Sequence, residues 1–292
     1  MVANNVQSKL ILGTVQFGLD YGINNSTGKP SKEQVFKIFE AAANAGVAIL
    51  DTADAYGNAS ELIGEFFSVS KTRFEINTKF KAEGGKSITE QLTHSLGQLN
   101  TERINIYFYH RFDEMVKFPE TLAELGKLRN QSRINKIGVS VYGNDEFEIA
   151  VNTPEVDAIQ LPFNLLDNHS QRGELLKQAK QKGKEIQVRS VFLQGLFFKK
   201  LSDYPSYLSP LKPYMQTINQ IEEDSGMGME ALALSYALAQ PQIDNVLIGV
   251  DTLEQLQQNL SYSDTALPAN IISHINAIEV AETELLYPKN WK

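Results

Sequence analysis

Apolar positions along this chain follow two alternating patterns. Short unbroken runs, as expected of strands covered on both faces, alternate with longer stretches in which apolar residues recur every three or four positions, as on one-sided helices. The runs at residues 10–16, 47–50, 74–80, 104–109, 136–141, 157–161, 185–191 and 246–250 predict eight strands. Ser31 with Gln34, and Ser87 with Glu90, read as capping boxes; they open helices carrying Val35, Ile38, Phe39 and Ala42, and then Leu92, Leu96 and Leu99. Asn58 with Glu61 predicts a cap for the helix that follows. Further helices are predicted over 121–128, 145–151, 173–181, 213–223 and 229–239, and from Thr252 and Pro268. Residues 197–213 follow neither pattern and are expected to lie over one mouth of the fold.

Strict alternation of strand and helix means parallel strands joined by right-handed crossovers. Eight strands without a break in composition favour a closed α/β barrel, the (α/β)8 TIM barrel, as a single domain over residues 1–292. A G-x-G-x-x-G fingerprint is missing after the first run, so nothing supports a Rossmann domain. A net charge of -8 and a pI near 5.2 argue against a nucleic-acid partner. With no cysteine, disulfides and thiol chemistry are excluded. The first residues lack the apolar core of a signal peptide and no run approaches a membrane span, so cytoplasmic residence without membrane contact is expected. His94, His169 and His274 are scattered, and no metal is assigned.

In such a barrel, chemistry belongs at the carboxyl ends of the strands. The stretch GVAILDTADAYG draws attention first. Gly46 can stop the preceding helix in a left-handed conformation, a buried run follows, and Asp51 stands where that strand emerges. Tyr56 lies in a turn closed by Gly57, Lys79 near the end of the third strand, and His110 directly after the fourth. Singly, these residues read as a turn cap, a surface aromatic, a solvent-reaching lysine and a core histidine. Together, three adjacent strands bring an acid, a phenol, an ammonium and an imidazole to one mouth.

These residues resemble those of the aldo-keto reductases, NAD(P)H-dependent carbonyl reductases on an (α/β)8 barrel. The likeness runs through LGTVQFG, LDTADAYGNASELIGE, INTKF, YFYH, IGVSVYG, IQLPFN, SVFLQGLF and LIGVDTLEQLQQNL. By this resemblance Tyr56 is the general acid, Lys79 and Asp51 tune it, and His110 orients the substrate carbonyl. Ser140 and Gln160 would hold the nicotinamide carboxamide. Ser190 to Gln194, including Phe192, would pass the pyrophosphate, and Gly249, Asp251, Gln255 and Asn259 would bind the adenosine end. The chain departs from the family where Val141 replaces a common amide and Arg189 a common stacking aromatic, whose place its planar guanidinium could take. Asp251 and Gln255 stand where basic residues often grip a 2'-phosphate. NADP(H) is the cofactor expected from family habit, with NAD(H) the alternative that this charge pattern suggests. Locally, Thr252 and Gln255 also read as a capping box, with Asp251 turned to solvent.

The chemistry agrees with those roles. Hydride delivery to a carbonyl leaves an alkoxide that needs a proton donor, and an ammonium beside a phenol eases release of its proton. The substrate is a small carbonyl or alcohol, walled by residues 18–30, 111–118 and 197–213, with Tyr21, Arg111, Phe112, Phe198 and Tyr204 as candidate contacts. Sugars fit such a mixture. Two other functions remain: a Schiff-base aldolase with Lys79 as nucleophile, and a nucleotide-sensing accessory subunit without turnover.

Overall fold

A computed structural model describes residues 9–22 and 28–291. Its strands are β1 (Leu10–Gly13), β2 (Ile49–Asp51), β3 (Glu75–Phe80), β4 (Ile104–Tyr109), β5 (Ile134–Ser140), β6 (Ala158–Pro162), β7 (Glu185–Arg189) and β8 (Asn245–Gly249). They pair in sequence order, all parallel, and β8 returns to β1 to close the barrel. Outside them lie α1 (Val15–Gly18), α2 (Lys32–Asn44), α3 (Ala59–Val69), α4 (Ile88–Leu99), α5 (Phe112–Lys117) and α6 (Glu120–Asn130). The second half carries α7 (Asn144–Asn152), α8 (His169–Gln181), α9 (Lys212–Ser225), α10 (Met229–Leu238), α11 (Leu253–Tyr262) and α12 (Ala269–Asn276). This is the (α/β)8 barrel that the alternation predicts.

Local signals explain most boundaries. Both expected capping boxes form, Ser31 with Gln34 and Ser87 with Glu90. At the far end of α2, Gly46 takes φ +82, and the amides of Gly46 and Val47 reach back to the carbonyls of Ala43 and Ala42 at 3.0 Å each. Such a left-handed stop turns the chain directly into β2. The buried face of α2 is the predicted one, Val35, Ile38, Phe39 and Ala42.

Several boundaries differ from expectation. The first strand stops at Gly13, because Val15 to Gly18 coil into α1 and carry Gln16 out of the sheet. Asn58 is at the cap position of α3 but makes no capping bond; its side-chain oxygen instead accepts from Lys29. Helix α5 was not expected. Residues 197–213 form short 3-10 turns rather than an open loop, and bury Leu208 and Leu211. Tyr204 is buried as well, its hydroxyl donating to the carbonyl of Leu196 at 3.1 Å, so it walls no substrate. Away from the carboxyl mouth, an amide ladder crosses the strands: Asn135 donates to Asn105, Asn105 to Asn77, Asn77 to Gln187 and Gln187 to Glu185.

Candidate active site

Asp51 is the last residue of β2 and is fully buried. One of its carboxylate oxygens accepts from Lys79 Nζ, and the other from Gln160 Nε2 at 2.9 Å. Lys79 Nζ also donates to the carbonyl of Thr52 at 3.2 Å and lies 5.3 Å from the centre of the Tyr56 ring. The Tyr56 and His110 rings meet edge to face, 6.0 Å between centroids. The four groups predicted to meet at one mouth therefore do meet there. Two glycines set the Tyr56 turn. A Cβ on Gly18 would fall 1.7 Å from the Tyr56 carbonyl oxygen, and one on Gly57 2.3 Å from that of Gly18, so side chains at either position would push the turn away.

Burial and charge divide the titrations. Burial works against the Lys79 ammonium, but Asp51 and Tyr56 together outweigh it and hold its pKa above the ordinary lysine value. Burial pushes the Tyr56 phenol up; Lys79 pulls it down, as expected, without overcoming the burial. The resting phenol is thus protonated at neutral pH. Burial, with Lys79 and Arg189 nearby, pushes His110 down to about 3, so its ring is neutral.

Tyr56, Lys79 and His110 open onto a cavity of about 570 Å3. Of the residues expected to touch the cofactor, Ser140, Gln160, Arg189, Ser190 to Phe192, Gln194, Gly249, Asp251, Gln255 and Asn259 line the same cavity, whereas Leu193 is buried in the core. Asp51 does not line it; it sits behind Lys79. Of the expected substrate walls, Tyr21 and Phe198 line it, whereas Arg111 pairs with Asp113 at the surface and Phe112 packs against the core.

The Aldo/keto reductase family model matches residues 9–280. The chain belongs to that family. As an aldo-keto reductase it is an oxidoreductase acting on carbonyl groups, from a family that uses nicotinamide cofactors. It is 24% identical to aldo-keto reductase YhdN of Bacillus subtilis over 93% of this chain and 89% of that protein. It is also 24% identical to L-glyceraldehyde 3-phosphate reductase of Escherichia coli, over 87% and 85% of the two chains. To NADH-specific methylglyoxal reductase of Escherichia coli the identity is 24%, over 74% and 78%. Among solved structures, a holo aldo-keto reductase from Bacillus halodurans superposes with a TM-score of 0.74 at 21% identity, covering 93% of this chain and 92% of that one.

The aldo-keto reductase also lines its cavity with residues that the sequence reading did not single out: Gln16, Tyr142, Glu230 and Gln258. Gln16 follows the first strand closely enough for the strand-end rule to have flagged it. Glu230, in the first turn of α10, gives no such signal. Two side-chain oxygens on the wall, Gln16 Oε1 and Gln160 Oε1, are buried without a hydrogen-bond partner among the described residues. A Cβ on Gly249 would fall 2.2 Å from the Gln16 amide nitrogen, so glycine is what lets that amide lie against the end of β8.

The loop after β7 is unusually wound, with positive φ at Ser190, Leu193, Gln194 and Gly195. Asn164 steadies its start by donating to the Ser190 carbonyl at 3.2 Å while accepting from the amides of Leu166 and Asp167. Asp167 in turn holds Arg172 through two bonds of 2.6 and 2.8 Å, and Arg172 also donates to Asn144 and to the carbonyl of Tyr142. Arg189 stacks on Tyr142, its guanidinium carbon 4.2 Å from the ring centre. At α11, Thr252 accepts from the Gln255 amide, but the Gln255 side chain reaches past it to the Asp251 amide at 2.7 Å. The capping box is therefore half formed. Asp251 is half-buried on the cavity wall, and burial raises its carboxyl pKa. Among the described residues no helix is long and apolar enough to cross a membrane.

Proposed function

We propose that this aldo-keto reductase reduces a small polar aldehyde or ketone to the alcohol, with Tyr56 as the proton donor. The observation that carries this reading is a protonated, half-buried phenol against a buried Asp51–Lys79 pair, beside a neutral imidazole on one cavity wall. A carbonyl oxygen near Tyr56 and His110 can accept from both. As negative charge grows on it, Tyr56 Oη gives up its proton, and the Lys79 ammonium stabilises the phenolate left behind. Asp51 keeps the ammonium charged and in position. That same charge argues against a Schiff-base aldolase, which needs a neutral amine at Lys79.

A nicotinamide dinucleotide would supply the hydride. The donor set fits it: Gln160 spends its amide N–H on Asp51 and is left with a buried oxygen that has no partner among the described residues, suited to accept from a carboxamide NH2, with Ser140 close by on the wall. Phe192, Gln194 and the wound loop after β7 would follow the pyrophosphate, and Gly249, Asp251, Gln255 and Asn259 the adenosine ribose. Among the described residues, the lysine and arginine side chains lining the cavity are Lys79 and Arg189, and the carboxylates of Asp251 and Glu230 line it as well. Two carboxylates on this wall disfavour a 2'-phosphate, so NAD(H) is put ahead of the NADP(H) that family habit suggests. The relative named as NADH-specific supports the same order. The names of the two Escherichia coli relatives favour a short oxygenated aldehyde as substrate. We further propose that the chain acts as one domain in the cytoplasm, without a nucleic-acid or membrane partner.

The test is a panel of aldehydes, ketones and sugars offered with NADH and NADPH, read as loss of dihydronicotinamide absorbance, with Tyr56→Phe as control. Turnover that disappears in the variant supports the reading. Tight cofactor binding without turnover on any carbonyl would replace it by the accessory-subunit function.

A further inference from the structure

Arg189 ends β7 and lines the cavity, and its direct contacts are uncharged. Its guanidinium donates to the carbonyl of Val141 at 3.2 Å and to Ser190 Oγ at 3.5 Å, and stacks on Tyr142. Among the described residues it is in no ion pair. Asp167 feels its charge but is already held by two bonds from Arg172. Lys289, 4.0 Å from the Tyr142 ring centre, brings another cation nearby rather than a counter-charge. The other cation on the cavity wall, Lys79, is matched by Asp51. This end of the cavity therefore carries an uncompensated positive charge, and its field reaches Tyr56, Lys79 and His110 alike.

A hydride donor must approach a carbonyl that Tyr56 and His110 face, so the donor ring lies within the same field. On the reductase reading above, that ring is a nicotinamide. In each reductive turnover, a hydride with its two electrons leaves C4 of the dihydronicotinamide for the carbonyl carbon. The proton goes from Tyr56 Oη to the carbonyl oxygen, and the ring is left with one positive charge. Reduced and oxidised cofactor thus differ by one unit of charge close to Arg189.

We propose that Arg189 makes this site discriminate between the redox states of its cofactor, holding the neutral dihydronicotinamide more tightly than the nicotinamide cation. Repulsion between two like charges in a partly shielded cavity is large enough for about a tenfold difference in affinity. By linkage, a tenfold preference raises the potential of the bound two-electron couple by about 30 mV. The oxidised cofactor leaves more readily after each reduction, and the bound reduced form is a correspondingly milder hydride donor.

The test needs no turnover. NADH and NAD+ are titrated separately into the unsubstituted protein and into Arg189→Met, Arg189→Gln and Arg189→Lys, with affinities read by calorimetry and folding checked by circular dichroism. The ratio of affinities for NADH over NAD+ should fall about tenfold in the neutral variants and be retained in Arg189→Lys. An unchanged ratio in a folded Arg189→Met or Arg189→Gln overturns the proposal, as does equal weakening of both forms, which would assign Arg189 to a part of the cofactor common to both. Should neither form bind the unsubstituted protein, the same titrations are run with NADPH and NADP+, whose affinity ratio then reads the proposal; should none of the four bind, the reductase reading itself fails. Binding of both forms with an insensitive ratio removes only the role given to Arg189.

Discussion

Two carboxylate–cation pairs are buried here to nearly the same depth, yet they are built to opposite ends. Asp167 and Arg172 are 0% and 1% exposed, Asp51 and Lys79 1% and 2%. Arg172 makes four bonds, two to Asp167, one to Asn144 and one to the Tyr142 carbonyl, which bind the loop after β6 to the loop after β5 and the start of α7. Lys79 has a carboxylate and one carbonyl, and its remaining face lies toward Tyr56 and the cavity. Taking charges out of water costs several kcal/mol per ion unless good geometry offsets it. In the first pair the compensation fixes architecture; in the second it leaves a charge facing the Tyr56 phenol, the proton donor proposed above. Depth of burial therefore does not separate the two pairs, whereas the saturation of their hydrogen bonds does.

The largest effect should come from Tyr56, the proposed proton donor beside the second pair. Tyr56→Phe is expected to lower the single-turnover reduction rate by roughly 10²- to 10⁴-fold while leaving cofactor affinity close to that of the unsubstituted protein. A rate within a factor of a few would remove Tyr56 from the chemistry, and the contrast between the pairs with it.

Breaking each pair should separate them next. Arg172→Met strands the Asp167 carboxylate and should cost about 3–5 kcal/mol in urea unfolding, with the pH profile of any remaining activity unmoved. Lys79→Met strands Asp51 in the same way, but should also lose most turnover and move what remains to higher pH, because the phenol loses the charge that pulls its pKa down. If both variants shift the pH profile alike, or neither does, the distinction drawn here is wrong.

Acid should sharpen the picture further. His110 titrates at about 3 in the folded protein, against about 6.5 for an unperturbed histidine. As pH falls below about 6.5 the unfolded chain takes up a proton that the native site refuses, so His110 subtracts stability progressively toward pH 3. His110→Gln should flatten that part of the stability profile in thermal melts; an unaltered slope would mean the imidazole is not held neutral.

The smallest effect belongs to the adenosine end. Glu230→Gln and Asp251→Ser are each expected to tighten NADPH a few-fold with little change for NADH, and the gain should shrink as salt rises. Equal responses of the two cofactors would show that neither carboxylate reads the 2'-phosphate.

Much of this molecule is legible in local sequence. The capping residues Ser31 and Ser87 and the stop at Gly46 act through backbone groups a few residues away, so they fold as they read. Asp51, Tyr56, Lys79 and His110 could be named because alternation of strand and helix sends every strand end to one mouth. Where local signals compete, tertiary structure decided. Val15 and Gln16 read as strand but coil into α1, and Asn58 reads as a cap but binds Lys29.

Arg172 shows the limit most clearly. Nothing around it in the helical pattern of α8 marks it as buried, and its partners come from loops following two different strands. Glu230 likewise reaches the cavity only because α10 packs where the barrel closes. The net pKa of Tyr56 belongs with these. The sequence supplies the ammonium that lowers it, but how far water is excluded from the phenol is set by every element packed around the mouth, and that burial outweighs the charge. Backbone hydrogen bonding is short in range and written in neighbouring residues, while desolvation and side-chain pairing between strands exist only once the chain has closed.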